Sequence, residues 1–232
     1  MKKRLLIFLG CAFFLVNSGM AQQGGRPVDW AAFGRYEKAN SLVVTPPRAV
    51  FLGNSITDMW WGADTAFFKD NNYLGRGIGG QTTAEMLVRF RADVINLKPE
   101  AVIILAGTND IARNIGYISL ENIFGNIVSM VELAKNNNIT PILCSILPVY
   151  DYRWRPGLEP APKIILLNTW MKEYAVANGL VYVDYHSALK DDRDGLPEKY
   201  SADGVHVNKA GYEIMEQLAI EGINKALGGH GL

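Results

Sequence analysis

The chain has 232 residues, of which 49% are hydrophobic and 20% are charged. Its 23 Lys and Arg residues balance 23 Asp and Glu residues, so the formal net charge is zero. The hydrophobic fraction can bury a core, which excludes a disordered chain, and without a basic excess no nucleic-acid partner is expected. The length fits one domain of about 200 residues.

The N-terminus has the three parts of a secretory signal peptide. Basic residues at 2–4 precede an apolar run over 5–16, and Gly19-Met20-Ala21 offers small residues for cleavage. The run is shorter than the ~20 apolar residues that span a bilayer, so no stable membrane anchor is expected after cleavage. We predict a signal peptide over 1–21 and a secreted or periplasmic protein. A lipoprotein lipidated at Cys11 is the weaker alternative, because that residue stands too early in the run.

Short apolar runs then alternate with amphipathic segments. In chain order the pattern predicts a helix over 30–40 capped by Asp29, a strand over 49–52, a helical or irregular segment to 68, a strand over 73–78 and a helix over 83–94. A strand over 101–106, a helix over 120–134, a strand over 140–147 and a loop over 148–162 follow. The last predicted elements are a helix over 163–178, a strand over 180–183 and a helix over 208–227. The strands are apolar on both faces, which favours a five-stranded parallel sheet covered by helices on both sides. We place a lead-in with a short helix over 22–47 and a single domain over 48–229.

The loop over 148–162 is rich in aromatic residues, among them Tyr150, Tyr152 and Trp154. It follows a strand end, where open α/β sheets bind ligands. A substrate-binding loop and an ordinary surface loop are both open interpretations.

Four polar turns are predicted at one edge of the sheet. They are Gly53-Asn54-Ser55, Gly79-Gly80-Gln81, Gly107-Thr108-Asn109-Asp110 and Asp203-Gly204-Val205-His206. Ester hydrolysis needs such parts: a Ser nucleophile, a His base, a carboxylate that orients the His, and donors for the oxyanion. Asp203-x-x-His206 could instead be half of a metal site, but no second His or Cys cluster completes it.

The chain resembles the SGNH (GDSL-like) hydrolases, whose four blocks occur in order between Val50 and Tyr212. Residues 51–57 resemble the nucleophile block, 79–82 the glycine block, 107–110 the asparagine block and 203–206 the Asp-x-x-His block. The sequences of the second and third blocks are most similar to those of the platelet-activating-factor-acetylhydrolase-like branch.

The resemblance implies a flavodoxin-like three-layer α/β/α sandwich that uses no metal or other cofactor. It implies Ser55 as the nucleophile, His206 as the base and Asp203 as its partner. It also implies an oxyanion hole made by the backbone N–H groups of Ser55 and Gly80 and the side-chain amide of Asn109.

The chain departs from the family pattern at three positions near the implied site. Asn54 occupies the position of the Asp in the family name, Ile56 occupies that of the Leu, and Gln81 occupies a position at which the acetylhydrolase relatives have Asp. None of these departures removes a group that the resemblance implies to be catalytic.

Aromatic residues near the implied site favour a sugar substrate, because aromatic faces stack on sugar rings. Trp60 and Trp154 are the candidate substrate contacts, although one of the neighbours Trp60 and Trp61 could be core packing. We expect a secreted serine esterase that removes acetyl or other short acyl groups from a small molecule or polysaccharide. The alternatives are a lysophospholipase or thioesterase, and a catalytically silent glycan-binding module.

Overall fold

A computed structural model describes residues 29–228, so the signal peptide predicted over 1–21 lies outside the described residues. Its sheet has five parallel strands, β1 (Ala49–Gly53), β2 (Tyr73–Gly77), β3 (Ala101–Leu105), β4 (Thr140–Cys144) and β5 (Val181–Val183). Their order across the sheet is β2-β1-β3-β4-β5, which is the order of the flavodoxin-like folds. The predicted fold class is confirmed.

Helices cover both faces of this sheet. They are α1 (Glu37–Ser41), α2 (Ser55–Ala63), α3 (Thr65–Asp70), α4 (Thr83–Asp93), α5 (Thr108–Ile111), α6 (Leu120–Lys135), α7 (Pro160–Ala177), α8 (Tyr185–Leu189) and α9 (Lys209–Ala226). Successive strand residues point to opposite faces, so Val50 packs in the core under α4, α6 and α7, and Phe51 in the core under α2, α3 and α9. This explains why the strands are apolar on both faces.

The chain reverses its direction across the sheet between β1 and β3. These two strands are paired in register, with Gly53 opposite Leu105, while β2 lies on the other side of β1. The residues that follow β1 and β3 therefore leave the sheet side by side. In open α/β sheets this switch point is where ligands bind.

The predicted helix over 30–40 is wrong. Ala32 adopts a left-handed conformation (φ 56°), and a 3₁₀ turn over Phe33–Arg35 precedes the short helix α1. The Asp29 carboxylate accepts hydrogen bonds from the backbone of Phe33 and Gly34. The Ala31 carbonyl accepts one from the side chain of Gln81 at 2.9 Å, so contacts with the rest of the domain override the local helical tendency.

Strand β4 ends at Cys144, three residues earlier than predicted. Beyond it, the backbone N–H and C=O of Ile146 pair with the side-chain amide of Asn168 on α7 instead of a neighbouring strand. Helix α7 begins at Pro160 rather than 163, because the fixed φ of proline suits the first turn of a helix. The loop is thus 145–159.

Candidate active site

Ser55 is the first residue of α2, directly after β1. Asn54 is the helix N-cap, and its side-chain oxygen accepts a hydrogen bond from the backbone of Ile56 at 3.0 Å. An amide oxygen caps as well as a carboxylate does, so Asn54 keeps this function without the charge of Asp.

His206 joins Ser55 to Asp203. Its Nε2 lies 2.8 Å from the Ser55 Oγ, and its Nδ1 lies 2.7 Å from Asp203 Oδ2. The two ring nitrogens face opposite partners, so an imidazole that donates to Asp203 is left with a lone pair toward the Ser55 hydroxyl. The three residues named in advance are therefore in continuous hydrogen-bond contact.

The turn that carries Asp203 holds the carboxylate in place. Asp203 Oδ1 accepts hydrogen bonds from the backbone N–H groups of Val205 (2.9 Å) and His206 (2.8 Å). Burial acts to raise the pKa of Asp203, but the hydrogen bonds from His206 and Val205 outweigh it and hold this pKa well below its ordinary value. The carboxylate is therefore ionised at neutral pH.

The glycine block is a loop whose amides are nearly all engaged. The pairs are Ile78 N–H to Gly53 O, Gly79 N–H to Asp58 Oδ2, Gln81 N–H to Ile78 O, Thr82 N–H to Glu85 Oε2 and Thr83 N–H to Asp110 Oδ2. Across residues 29–228, the Gly80 N–H has no such partner. Gly80 has a φ of +78°, which favours glycine, and the loop lies close to the nucleophile, because a Cβ added to Gly79 would stand 3.9 Å from the Ser55 Cβ.

Asn109 follows β3 in the short helix α5. Its side-chain nitrogen donates to the carbonyl of Gln81 at 2.9 Å, which brings it against the glycine block. An amide nitrogen carries two hydrogens, so one of them stays available beside this contact. The structure thus brings Ser55, Gly80 and Asn109 to the same switch point.

A buried arginine behind the site escaped the sequence analysis. The Arg89 guanidinium donates to the Gly53 carbonyl (3.0 Å), the Gln81 side chain (2.6 Å) and Asp93 (2.9 Å). It therefore links the end of β1 to the glycine block, and Gln81 accepts from it. Burial lowers the pKa of Arg89, and Asp93 acts to raise it. The available signal was a charged residue on the core face of a helix, between Met86 and Phe90.

The structure separates the two candidate substrate-binding tryptophans. Trp60 is 1% exposed, stacks with Phe67 and Tyr212 and donates to Glu216, so its assignment as a substrate contact is wrong. It lies one helical turn after buried Ile56, on the core face of α2. Trp154 is 50% exposed on the long loop.

The long loop is fixed next to the asparagine block. The hydroxyl of buried Tyr152 donates to the Thr108 carbonyl at 2.8 Å, and the Trp154 ring packs on the Tyr152 ring with their centroids 5.2 Å apart. Since Thr108 directly precedes Asn109, Trp154 remains a candidate substrate contact.

His186 lies in α8, where it makes no hydrogen bond to Ser55 or Asp203. Burial lowers its pKa, and its backbone N–H donates to the side chain of Ser145. No group of three or more His, Cys, Asp or Glu residues is arranged to hold a metal ion in the part of the chain described.

The family model of the GDSL-like lipases and acylhydrolases matches residues 51–214, a span that contains all four blocks. The chain belongs to the GDSL-like lipase/acylhydrolase family. Membership implies ester hydrolase activity. A curated relative is the uncharacterised lipoprotein YqeF of Bacillus subtilis (strain 168), 36% identical over 81 residues. That alignment covers 34% of this chain and about one third of the relative's length.

Several solved structures are similar to this chain over nearly their whole length. A protein from Bacteroides fragilis NCTC 9343, provisionally assigned as an acylhydrolase, is 48% identical with a TM-score of 0.84, over 86% of this chain and 99% of that one. A GDSL-like lipase from Bacteroides thetaiotaomicron VPI-5482 is 45% identical with a TM-score of 0.81, over 84% and 98%. An acetyl-xylooligosaccharide esterase of Geobacillus, 20% identical, shares the fold with a TM-score of 0.61 over 77% and 94%.

Proposed function

We propose that this GDSL-like hydrolase is an exported serine esterase that removes acetyl or other short acyl groups from carbohydrate, with Ser55, His206 and Asp203 as its catalytic residues. The observation that carries the proposal is the chain of contacts of 2.8 Å and 2.7 Å from Ser55 Oγ through His206 to Asp203. A Ser hydroxyl needs such a base to become a nucleophile at neutral pH.

In the first half-reaction His206 Nε2 takes the Ser55 proton while Oγ attacks the carbonyl carbon of the ester. The Asp203 carboxylate stabilises the imidazolium that forms and keeps the Nδ1 proton in place. Collapse of the tetrahedral intermediate breaks the bond to the alcohol oxygen, which receives the proton from His206. The products of this step are the free alcohol and an acyl group on Ser55.

The second half-reaction repeats these steps with water. His206 takes a proton from water, whose oxygen attacks the acyl carbon, and the proton then returns to Ser55 as the carboxylic acid leaves. In both halves the carbonyl oxygen becomes an oxyanion. Its donors are the Ser55 N–H at the start of α2, the Gly80 N–H and the free hydrogen of the Asn109 amide.

The choice of substrate and location has the following support. Trp154 is exposed on a loop that is tied to the asparagine block through Tyr152 and Thr108. A structure with the same fold is named as an acetyl-xylooligosaccharide esterase. The signal peptide predicted over 1–21 and a relative named as a lipoprotein support export.

The decisive experiment is turnover of an aryl acetate by the wild-type protein and by Ser55→Ala. We expect the variant to fold and to lose at least ~10³-fold in kcat. A wild-type protein that binds oligosaccharides and does not turn over any ester would make it the silent glycan-binding module instead.

One observation favours a longer acyl chain as the second candidate. An apolar groove of about 340 Å³ runs between the segment around α1 and helix α2, and its lining includes Val43, Trp61 and Leu74. Asp58 also lines it, and the Asp58 carboxylate accepts a hydrogen bond from the Gly79 N–H. Aryl esters from acetyl to octanoyl separate the two candidates. A kcat/KM that falls with chain length supports the acetylesterase, and one that rises toward octanoyl supports a lysophospholipase or thioesterase type.

A further inference from the structure

A second groove, of about 580 Å³, shares a wall with the turn that carries Asp203. Its lining comes from three segments and includes Tyr150, Arg153, Arg193, Glu198, Asp203 and Gly204. Only the imidazole ring of His206 separates Asp203 from Ser55. The Asp203 wall of the groove is therefore two hydrogen bonds and one imidazole ring away from the nucleophile, on the Nδ1 side of His206.

Tyr150 and Arg193 form the built part of this groove. The Tyr150 ring is 57% exposed, and the Arg193 guanidinium carbon lies 5.1 Å from its centroid. Asp191 holds Arg193 with an oxygen 3.1 Å from Nη2. A Cβ added to Gly195 would stand 2.9 Å from the Tyr150 Cβ, so the two loops are in tight contact. The Arg193 guanidinium covers one face of the Tyr150 ring and donates to Asp191 through Nε and Nη2. The exposed part of the ring and the remaining N–H groups of Arg193 suit a sugar, which has an apolar face and a rim of hydroxyls.

The charges of the groove favour a neutral, hydroxyl-rich ligand. Within the described residues, the side chains of Arg153 and Glu198 make no hydrogen bond or ion pair, and both line the groove. An anionic or cationic ligand would meet a like charge there. Hydroxyl groups both donate and accept, so a sugar can satisfy the arginine and the glutamate together.

We propose that this groove, defined by Tyr150, Arg153, Arg193 and Glu198, binds the neutral sugar chain of the substrate while one of its acyl esters lies at Ser55. This inference rests on the proposed esterase function and deepens it, because it assigns where the alcohol part of the substrate binds. The leaving hydroxyl, which receives the proton of His206, would then belong to a sugar chain that is bound on the same side of the site as His206.

The test compares Tyr150→Ala with the matched control Tyr117→Ala. Tyr117 has the same arrangement, with the Arg113 guanidinium 5.2 Å from its ring, but it lines a different pocket. We expect Tyr150→Ala to lower kcat/KM for acetylated xylo-oligosaccharide by ~10-fold and to leave kcat/KM for an aryl acetate within about twofold. Tyr117→Ala should change neither value. Equal losses on both substrates, or none on the oligosaccharide, would overturn the groove assignment.

A binding measurement separates this proposal from the esterase function. Deacetylated xylo-oligosaccharide is titrated into Ser55→Ala and into Ser55→Ala/Tyr150→Ala, and we expect the second protein to bind ~10-fold more weakly. If the wild type turns over the aryl acetate normally but the two variants bind the oligosaccharide equally well, only the groove assignment is refuted. A wild type without esterase turnover would refute the proposed function, whatever the titration shows. Tighter, salt-sensitive binding of a uronate-bearing oligosaccharide would contradict the neutral ligand.

Discussion

The Asp58 carboxylate accepts a hydrogen bond from the backbone N–H of Gly79 at 3.2 Å and so joins the helix that begins at Ser55 to the glycine loop. Its other oxygen pairs with Arg35 at 3.0 Å. The contact is close because Gly77, at the end of β2, packs directly on α2, where an added Cβ would stand 2.1 Å from the Asp58 backbone nitrogen. The direction of the adjacent Gly80 N–H therefore depends on a side chain one turn beyond the nucleophile.

From this contact we predict that Asp58→Ala lowers kcat for an aryl acetate by ~10- to 100-fold with little change in KM, because a misplaced oxyanion donor acts on the transition state. Asp58→Asn keeps an acceptor oxygen and should recover most of the loss. The control is Asp64→Ala, since Asp64 caps α3 through Phe67 and does not touch the glycine loop. A change in KM alone, or equal effects of both alanine variants, would contradict the positioning role.

Asn109→Ala should lower kcat by ~10²–10³ with KM nearly unchanged, because it removes an oxyanion donor. The variant also loses the bond to the Gln81 carbonyl, so its circular dichroism and melting temperature serve as the control. A large rise in KM with kcat intact would make Asn109 a substrate-binding residue instead.

The sequence predicted the sheet and the turns after β1, β2 and β3, because both follow from local patterns. Buried parallel strands are short apolar runs, and the turns after them lie at the carboxyl edge. The turn with Asp203 and His206 follows no strand directly, since β5 ends at Val183, and the roles of these two residues were implied by the resemblance to the family. The sequence did not predict the path of residues 29–36, which depends on the contact of Ala31 with Gln81 across the domain. The contact of Asp58 with the glycine loop was not predicted for the same reason.

The errors on Trp60 and Arg89 have a different cause. Trp60 was assigned as a substrate contact and Arg89 was not identified, although helical periodicity predicts that both side chains are buried. A helix that starts at Ser55 places Ile56 and Trp60 on one face, which predicts a buried Trp60 and an exposed Trp61. Arg89 lies on the face of Met86 and Phe90, so its charge had to be buried and paired.

Asp203 should not limit activity between about pH 5 and 8, because its pKa lies below its ordinary value and the carboxylate stays charged over this range. In Asp203→Asn, kcat for an aryl acetate should fall by as much as ~10⁴, because the imidazolium that forms during the reaction loses its anionic partner. The measurement is kcat of the variant and of the wild type on one aryl acetate. Near-normal turnover of the variant would show that Asp203 does not act on His206.

Asp110 should make the protein less stable as the pH rises. Burial raises the pKa of Asp110 to about 6, although hydrogen bonds from Thr83 act in the opposite direction. Between the ordinary pKa of 3.8 and the raised pKa of about 6, the folded state binds a proton that the unfolded state has lost, so the free energy of unfolding falls with rising pH. The measurement is the free energy of unfolding in urea of Asp110→Asn and of the wild type. The value for the variant minus that for the wild type should be larger at pH 7.5 than at pH 4.5, by up to ~2–3 kcal/mol. Parallel pH curves would contradict this.

Covalent labelling shows directly whether Ser55 is the nucleophile that His206 activates. The wild-type protein is treated with an aryl phosphonofluoridate, and the modified peptide is identified by mass spectrometry together with the loss of aryl-acetate turnover. We expect one adduct per chain, on Ser55, that forms at the same rate as inactivation and is nearly absent in His206→Ala. Inactivation with the adduct on another residue, or labelling of Ser55 at the same rate without His206, would contradict this assignment.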